Sequence, residues 1–470
     1  MKKSKLTVLL LFICVITVLQ AQEAKYVFFF IGDGMGFNQV SGTEMYLAQQ
    51  QGIIGTIPLC FTQFPVTGLA KTYSQNNSVT DSAAAGTALA TGHKTANGVL
   101  GMDLTGTTIL ETIAEKAKNA DRAVGIVTTV SIDHATPAAF YAHVPSRNMY
   151  YTIGTQLASS GFDFFAGGRF LQPVNPQNES DKDVYHKDVY QVLTEAGYTV
   201  VESSKEYANQ KNKAEKMIFI QPEDKGQSSL PFAIDRKDDD LTLLEITEAA
   251  IDFLSQKNNG FFLMVEGGAI DWACHNNDAA TVFEEVLDFD KAVNLAYQFY
   301  LQKPDSTLIV VTADHETGGM AMGNSNSPLN LSILSNQQVS EAELSAQMKE
   351  LLQQHDTPLT WEQMQEFLKS TMGFWQTVQL SENEEKSLLE EFQRFQENTS
   401  LTSESEYFVL EEMAVKAKKI LNARSGIGWT TSSHSGAMVP VFAIGVECEQ
   451  FSGFMDNTNI PQKIEQIARY

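Results

Sequence analysis

The sequence predicts an α/β protein with a doubly wound, mostly parallel central sheet that is flanked by helices, and with a helical insertion late in the chain. Short apolar runs, rich in β-branched and aromatic residues, recur along the chain as expected for buried strands. These runs are 26–31, 123–128, 162–165, 261–265, 308–312 and 439–446. Helical patterns lie between some of them, for example at 243–256 and 279–301. Strands that alternate with helices favour a parallel sheet with helices on both faces.

Residues 325–425 have a different character and predict the insertion, a group of helices rich in Gln, Glu and Leu that lies on the edge of the sheet. Three residue pairs have the spacing of a capping box, which marks the start of a helix. They are Ser340 and Glu343, Thr360 and Gln363, and Ser381 and Glu384. The acidic outer face of the insertion is explained most simply as a solvated surface.

The first residues have the pattern of a cleaved export signal. A basic start is followed by an apolar run at 6–19 and by the small residue Ala21. A lipid anchor on Cys14 is the alternative, but the bulky Ile13 stands where a small residue is needed. We therefore predict a signal peptide at 1–21, a periplasmic or extracellular protein, and one domain at 22–470 that carries the insertion at 325–425. No later segment has the ~20 apolar residues that cross a bilayer.

The net charge of −24 argues against a nucleic-acid-binding surface, because binding to phosphates needs a basic face. An anionic substrate would then need a local positive charge, and bound metal ions are the usual source. Cys60, Cys274 and Cys448 remain after cleavage, which is too few for a disulfide framework.

Acidic, histidine and threonine side chains follow four of the predicted strands and recur near the end of the chain. They are Asp33, His134, Thr136, Glu266, Asp271, His275, Asp314, His315 and His434. Because ligands bind outside the carboxyl ends of the strands in open α/β sheets, we expect these side chains to gather. Each alone has a plain explanation as a turn, cap or surface residue. Together they predict more than one metal, since carboxylate with imidazole suits zinc and an all-oxygen set suits magnesium.

The segment at 79–92, VTDSAAAGTALATG, contains a candidate nucleophile, Ser82, at the start of a helix with small side chains. The plain alternative is that Ser82 is an N-cap, a position that both Asp and Ser favour. A helix N-terminus also presents free N–H groups and a partial positive charge, which favour an alkoxide and a bound phosphate. Contact with zinc would lower the pKa of the hydroxyl. Such a serine could attack phosphorus.

Six segments together resemble the alkaline phosphatase family, in order and at suitable separations. They are VFFFIGDGMG, VTDSAAAGTALATG, HATPAAFYAHVPSRNMY, VEGGAIDWACH, VTADHETGG and the late HSG. The resemblance extends from Tyr26 to about Val446, with the insertion as an interruption. It implies a hydrolase that releases inorganic phosphate from small phosphate monoesters at alkaline pH.

The resemblance also implies a role for each matching residue. Ser82 would form a phosphoserine intermediate, and Arg147 would hold two phosphate oxygens in a bidentate geometry that lysine cannot copy. The implied cofactors are two zinc ions and one magnesium ion. Their implied ligands are Asp271, His275 and His434 for one zinc, Asp33, Asp314 and His315 for the other, and Asp33, Thr136 and Glu266 for magnesium.

Two positions depart from the best-known bacterial members, which have an aspartate and a lysine where this chain has His134 and Trp272. His134 is then expected near the third metal, whose identity stays open, and the lost positive charge predicts weaker phosphate binding. Cys274 abuts His275, but on a helix it points about 100° away from its neighbour. An inert buried thiol is therefore favoured over a zinc ligand.

Other functions share parts of this pattern. A sulfatase needs a C/S-x-P-x-R setting, which SAAAG lacks. A phosphodiesterase or nucleotide pyrophosphatase needs a larger leaving-group pocket, which the sequence does not reveal. A non-catalytic metal- or phosphate-binding protein needs no serine at position 82. Members of the family are commonly dimers, so the resemblance also implies a possible homodimer.

Overall fold

A ten-stranded sheet forms the centre of the molecule. The computed structural model describes residues 23–175, 187–223, 228–323, 329–354, 358–397, 402–404 and 407–470. The predicted signal peptide at 1–21 lies outside these described residues.

The strands of the described residues belong to this large sheet and to three two-stranded pairs. They are β1 (Tyr26–Gly32), β2 (Val66–Lys71), β3 (Ala123–Ser131), β4 (Phe164–Gly168), β5 (Tyr198–Val201), β6 (Lys216–Ile220), β7 (Phe261–Gly267), β8 (Thr307–Thr312), β9 (Glu316–Thr317), β10 (Met320–Met322), β11 (Thr402–Glu404), β12 (Val409–Glu411), β13 (Ile427–Trp429), β14 (His434–Ser435), β15 (Val439–Gly445) and β16 (Gly453–Asp456). The large sheet has the order β16-β2-β15-β8-β1-β7-β3-β4-β6-β5. Within it, β15 is antiparallel to β2 and β8, and the other neighbours are parallel.

Helices cover both faces of this sheet. They are α1 (Phe37–Gln50), α2 (Ser82–Thr91), α3 (Ile113–Asn119), α4 (Ala135–Ala138), α5 (Tyr150–Ser160), α6 (Val189–Glu195), α7 (Ser204–Gln210), α8 (Leu243–Ser255), α9 (Ala269–His275), α10 (Ala279–Gln302), α11 (Glu341–Gln354), α12 (Trp361–Met372), α13 (Glu382–Gln396), α14 (Glu412–Ser425) and α15 (Asn459–Ala468). Successive side chains of a strand point to opposite faces, and β1 follows this rule. Phe30 contacts Phe289 of α10, whereas Phe29 contacts Phe140 on the other side. The predicted doubly wound, mostly parallel α/β class is thus confirmed.

Each of the six predicted strand runs corresponds to a strand of the large sheet, although β4 begins at Phe164, two residues later than expected. The predicted helices at 243–256 and 279–301 correspond to α8 and α10. The sequence reasoning missed β2, β5, β6 and β16. Strands β5 and β16 form the two edges of the sheet and β2 lies next to β16; all three contain partly or fully exposed residues, so they lack a continuous buried run.

Helices α11 to α14 lie along the chain between β10 and β13, which pair with each other. The expected capping pairs begin three of these helices. Both hydrogen bonds of the box form between Thr360 and Gln363 and between Ser381 and Glu384, and the Glu343 N–H donates to Ser340 Oγ at 3.1 Å. The division into one domain at 22–470 with an insertion at 325–425 stays a prediction.

The parallel register brings the carboxyl ends of four central strands to one edge. Gly32 at the end of β1 is paired with Gly267 at the end of β7, and Thr312 at the end of β8 is paired with Ile31. Thr128 of β3 is paired with Glu266 of β7. The polar segments that follow these strands therefore start within a few residues of one another.

The buried phenylalanines of β1 should carry much of the stability. Phe28 is fully buried, so Phe28→Ala leaves a cavity and should lower the free energy of unfolding by about 3–5 kcal/mol. The measurement is urea unfolding followed by fluorescence, with a lower midpoint and an unchanged slope. Phe454 is 71% exposed, and the control Phe454→Ala should change stability by about 0.5 kcal/mol or less. Equal losses for the two variants would contradict this account of the core.

Candidate active site

The acidic residues predicted at the strand ends meet at this edge. Asp33 follows β1, Glu266 lies within β7, Asp271 lies in α9 and Asp314 follows β8. The side chains of all four are fully buried. Ionised carboxylates so deep in a protein are unstable unless positive groups or metal ions neutralise them.

One group of ligand atoms contains Asp271, His275 and His434, whose ligand atoms all lie within 4.8 Å of one another. His275 Nε2 is 3.3 Å from Asp271 Oδ2 and 3.1 Å from His434 Nε2. Asp271 and His275 stand four residues apart on α9 and so share one face of the helix. The sequence-predicted set for the first zinc is therefore brought together.

A second group lies beside the first. His315 Nε2 is 3.3 Å from Asp33 Oδ1 and 3.2 Å from Asp314 Oδ2. Asp271 also lies within 4.8 Å of Asp33 and His315, and the rings of His315 and His434 stack with centroids 3.6 Å apart. The two groups thus share a single buried space.

A third group contains Asp33, His134 and Glu266, again with ligand atoms within 4.8 Å of one another. Thr136 donates from Oγ1 to Asp33 Oδ2 at 3.2 Å, so its hydroxyl belongs to the same group. His134 precedes α4 and Thr136 lies within it. The expected magnesium set is assembled, with the His134 imidazole as an additional member.

Ser82 is the first residue of α2, and its fully buried Oγ lies 3.2 Å from His315 Nε2. The N-cap is Asp81, whose side chain accepts from the Ala84 N–H at 3.0 Å. The explanation of Ser82 as an N-cap is therefore wrong, because Asp81 fills that position. The Ser82 hydroxyl faces the second group of ligands instead.

The small side chains of α2 allow this helix to lie close to α4. A Cβ added at Gly86 would stand 3.1 Å from Ala139 Cβ and 3.3 Å from Thr136 Cα. A larger side chain at Gly86 would therefore push α2 away from the segment that carries Thr136. This close packing explains why small residues follow Ser82.

Arg147 reaches the site from the loop after α4. Its Nη1 donates to Asp81 Oδ2 at 3.3 Å, and its Nη2 lies 3.2 Å from His134 Nε2. Burial lowers the pKa of Arg147. The acidic side chains around it, Tyr407 and Asp81 first among them, raise the pKa by more than burial lowers it, so the net pKa lies above its ordinary value. The guanidinium is thus a fixed positive charge beside Asp81, the residue that precedes Ser82.

The carboxyl groups behave as a crowded anionic cluster. Burial and the charge of Asp314 raise the pKa of Glu266 to about 8, although a hydrogen bond from Thr128 opposes the rise. Burial and the charge of Asp271 raise the pKa of Asp314 to about 7. Burial also raises the pKa of Asp271, but His275 and His434 lower it more strongly, and the net pKa is below the ordinary value.

Several buried oxygens of this cluster accept no well-aligned hydrogen bond among the described residues, although three of them lie 3.2–3.3 Å from an imidazole Nε2. They are Asp33 Oδ1, Asp271 Oδ2, Asp314 Oδ2 and Glu266 Oε1. Buried acceptors are normally satisfied, and acceptors that face one another in a shared space are suited to cations. The residues present therefore fit metal ions in chemistry as well as in spacing.

Some features of the site were missed or left open by sequence reasoning. Cys274 is buried, and its thiol accepts from Gln39 Nε2 at 3.8 Å; burial holds the pKa of the thiol well above its usual range, which agrees with an inert thiol. Sequence reasoning gave Asp81 no role beyond the general preference of Asp for an N-cap. Tyr407, which stacks on Trp272, belongs to no recognisable motif and gave no signal.

The comparisons with known proteins agree with this geometry. The alkaline phosphatase family model matches residues 24–470. Alkaline phosphatase 4 of Bacillus subtilis (strain 168) is 33% identical over 461 residues, which cover 95% of this chain and 89% of that protein. A cold-active alkaline phosphatase from the psychrophile Shewanella sp. is 30% identical with a TM-score of 0.76, covering 94% of this chain and 99% of that one.

A further similar structure is a mutant alkaline phosphatase of the Antarctic bacterium TAB5, in which aspartate replaces a histidine and Mg is bound in the M3 site. It is 26% identical with a TM-score of 0.65, and the match covers 96% of this chain and 99% of that one.

The fold and the site define an α/β enzyme with several metal ligands gathered at the carboxyl edge of a parallel sheet. The chain belongs to the alkaline phosphatase family and is a metal-dependent hydrolase of phosphate monoesters. Among the described residues, none of the helices combines the length and the apolar character needed to cross a bilayer.

In the metal-free protein, the free energy of unfolding should decrease as the pH rises. Without cations, the folded-state pKa values of Asp314, about 7, and Glu266, about 8, lie above the unfolded value of about 4. The folded protein then binds more protons than the unfolded chain between about pH 4 and 8, so stability is lost across that window and the loss is complete above it. We expect the difference in Tm between metal-loaded and chelated protein to be larger at pH 8.5 than at pH 5.

Calorimetry of both forms at the two pH values measures this difference. Zinc and magnesium added back to the chelated protein should restore the Tm, which controls for damage by the chelator. A difference in Tm that is the same at both pH values would contradict the role given to the two carboxyl groups.

Proposed function

We propose that this protein is an exported enzyme that hydrolyses small phosphate monoesters through a phosphoserine at Ser82, with two zinc ions and one magnesium ion, and releases inorganic phosphate at alkaline pH. The observation that carries the proposal is the position of Ser82 Oγ, 3.2 Å from His315 Nε2, beside the buried groups of carboxylates and imidazoles. Mere metal or phosphate binding would need no hydroxyl at that point.

The ligand sets that would hold the metals follow the three groups of atoms. One zinc would be held by Asp271, His275 and His434, the second zinc by Asp33, Asp314 and His315, and the magnesium by Asp33, Thr136 and Glu266 with His134 nearby. Bound there, two zinc ions would neutralise negative charge on the attacking and leaving oxygens of an in-line displacement.

Ser82 would make the first bond to phosphorus. Ser82 would lose its hydroxyl proton to solvent as its Oγ bonds to phosphorus. The bond from phosphorus to the alcohol oxygen would break, and that oxygen would leave with the bonding electrons and take up a proton from solvent. The position of Ser82 at the first turn of α2 supports this role, because a helix N-terminus favours an alkoxide and a bound phosphate. Water would then cleave the phosphoserine and restore the hydroxyl.

Arg147 would bind two non-bridging oxygens of the phosphoryl group. Phosphoryl transfer depends mainly on positioning and on charge stabilisation, and a guanidinium supplies both because it is planar and permanently charged. Asp81 supports this role, since it accepts from Arg147 Nη1 and orients the guanidinium beside Ser82. A second ester group would remove an oxygen from this set, so a monoester fits better than a diester.

Export and assembly belong to the same proposal. The basic and apolar start of the chain supports cleavage after residue 21 and a periplasmic or extracellular location. A homodimer stays a prediction from the resemblance to the family. The division into one alkaline-phosphatase-like domain at 22–470 with the helical insertion at 325–425 is proposed on the same basis.

Replacement of the nucleophile tests the proposal directly. Ser82→Ala removes the oxygen that bonds to phosphorus, so kcat for p-nitrophenyl phosphate at pH 8–10 should fall by roughly 10³-fold or more. The exposed residue Ser78 lies four positions earlier, and the matched control Ser78→Ala should keep the activity of the parent protein. The assay measures inorganic phosphate from the metal-loaded protein and from the same protein after chelation.

Three outcomes of this assay would contradict the proposal. Absence of turnover by the parent protein would favour a non-catalytic binding protein. Faster hydrolysis of bis-p-nitrophenyl phosphate than of the monoester would favour a phosphodiesterase. Activity that survives both Ser82→Ala and chelation would exclude the phosphoserine route.

His134 should limit magnesium binding in the third group. Magnesium prefers oxygen ligands in a near-octahedral arrangement, so His134→Asp should raise the affinity for Mg²⁺ by about tenfold or more. The TAB5 mutant with Mg in its M3 site carries the same type of replacement, which supports this expectation. Titration calorimetry of zinc-loaded protein with Mg²⁺ measures it, and His93→Asp at an exposed histidine is the control. Equal affinities in parent and His134→Asp proteins would contradict the assignment.

A further inference from the structure

Tyr407 brings the segment between β10 and β13 into the active site. It lies just before β12, half-buried, and its ring stacks on Trp272 with centroids 4.6 Å apart and an interplanar angle of 25°. The same ring is 6.0 Å from His134 and 5.7 Å from His275, in edge-to-face contact with both imidazoles. Tyr407 therefore lies between two of the ligand groups.

His134, which Tyr407 contacts, is also a neighbour of Arg147. Arg147 Nη2 is 3.2 Å from His134 Nε2, and the His134 ring is in edge-to-face contact with the ring of Tyr407. Arg147 in turn contacts Asp81 beside Ser82. Tyr407 thus contacts His134, which neighbours the guanidinium proposed to hold the phosphoryl group, and His275, one of the ligands proposed for the first zinc.

Tyr407 belongs to a continuous aromatic surface, which we call the aromatic wall and define as Tyr407, Trp272, Phe408 and Phe232. Trp272 contacts Phe408 edge-to-face with centroids 5.9 Å apart, and Phe408 contacts Phe232 at 5.8 Å. Beyond Trp272 and Phe408 lies a cavity of about 410 Å³. One side of a site that is otherwise charged is therefore lined by aromatic rings.

The geometry of an in-line displacement indicates which part of the substrate would meet the aromatic wall. In an in-line displacement the alcohol leaves on the side of phosphorus opposite to the attacking oxygen. Ser82 Oγ contacts His315, whereas Tyr407 contacts His275 in the other group. An alcohol that leaves on the His275 side passes beside the ring of Tyr407.

We propose that Tyr407 is a specificity-determining residue whose ring, as part of the aromatic wall, stacks against an aromatic leaving group, so that the site selects aryl phosphates over alkyl phosphates. The inference rests on the proposed function, because it assigns a leaving-group subsite to the same centre. Offset-stacked and edge-to-face aromatic pairs are stabilising beyond simple burial. Loss of one such pair should reduce the preference for an aryl substrate by about 3- to 10-fold.

The test compares two substrates in variants of the full-length, zinc- and magnesium-loaded protein. The value of kcat/KM is measured for phenyl phosphate and for ethyl phosphate, and the ratio of the two is compared between proteins, so that intrinsic leaving ability cancels. Tyr407→Ala should lower this ratio by about 3- to 10-fold, mostly through kcat/KM for phenyl phosphate. Tyr407→Phe keeps the ring and should keep the ratio within about twofold of the parent.

Tyr73 serves as the matched control, because it is exposed and lies outside the site. Tyr73→Ala should leave the ratio unchanged. If Tyr407 only fills space in the aromatic wall, Tyr407→Ala will lower kcat/KM for both substrates equally, together with Tm and metal content, and the inference is overturned. An unchanged ratio with full activity overturns it as well.

A binding measurement separates this inference from the proposed function. Calorimetry with phenylphosphonate and methylphosphonate, which are not hydrolysed, is performed on metal-loaded Ser82→Ala protein with and without Tyr407→Ala. We expect tighter binding of phenylphosphonate only where Tyr407 is present. If the parent protein hydrolyses neither ester yet binds phenylphosphonate more tightly through Tyr407, the proposed function fails and the aromatic subsite stands. If turnover is normal and the two phosphonates bind alike, the subsite fails.

Discussion

The repulsion among buried carboxylates at one edge of the sheet is the constraint on which the rest of the site depends. Asp33, Glu266, Asp271 and Asp314 are fully buried in a shared space, and mutual repulsion with desolvation raises the pKa of most of them. Such a cluster is stable as anions only when cations occupy it. The fold therefore holds a site whose ordinary state requires metal, and metal dependence follows from the arrangement of these side chains.

The attacking group is positioned by the packing of one helix. Asp81 caps α2, which leaves the hydroxyl of Ser82 free to face His315. The same carboxylate accepts from Arg147, so a single side chain caps the start of the helix and orients the neighbouring guanidinium. Small residues such as Gly86 let α2 lie against α4 and bring these groups close to Thr136. The unusual composition of the segment is thus explained by close approach of backbones.

The segment between β10 and β13 contributes both buried residues to the core and a side chain to the wall of the active site. Its helices pack through buried side chains such as Leu344, Met348 and Leu368, which join the core of the molecule. Just before β12, Tyr407 of this segment stacks on Trp272. The aromatic side chain of Trp272 thus provides a surface on which residues far along the chain can pack, and it makes this side of the site apolar.

The sequence by itself determined the α/β class, six of the buried strands and the acidic and histidine residues that gather at the sheet edge, because burial and metal binding each demand particular side chains at particular places. Local patterns also predicted the capping pairs, since a cap involves residues three apart. Only the tertiary structure decided that Asp81 is the cap of α2 and that its carboxylate also accepts from Arg147. It alone placed Tyr407 on Trp272, 135 positions earlier in the chain. Contacts between distant segments depend on how whole elements pack, and no local pattern of residues records that packing.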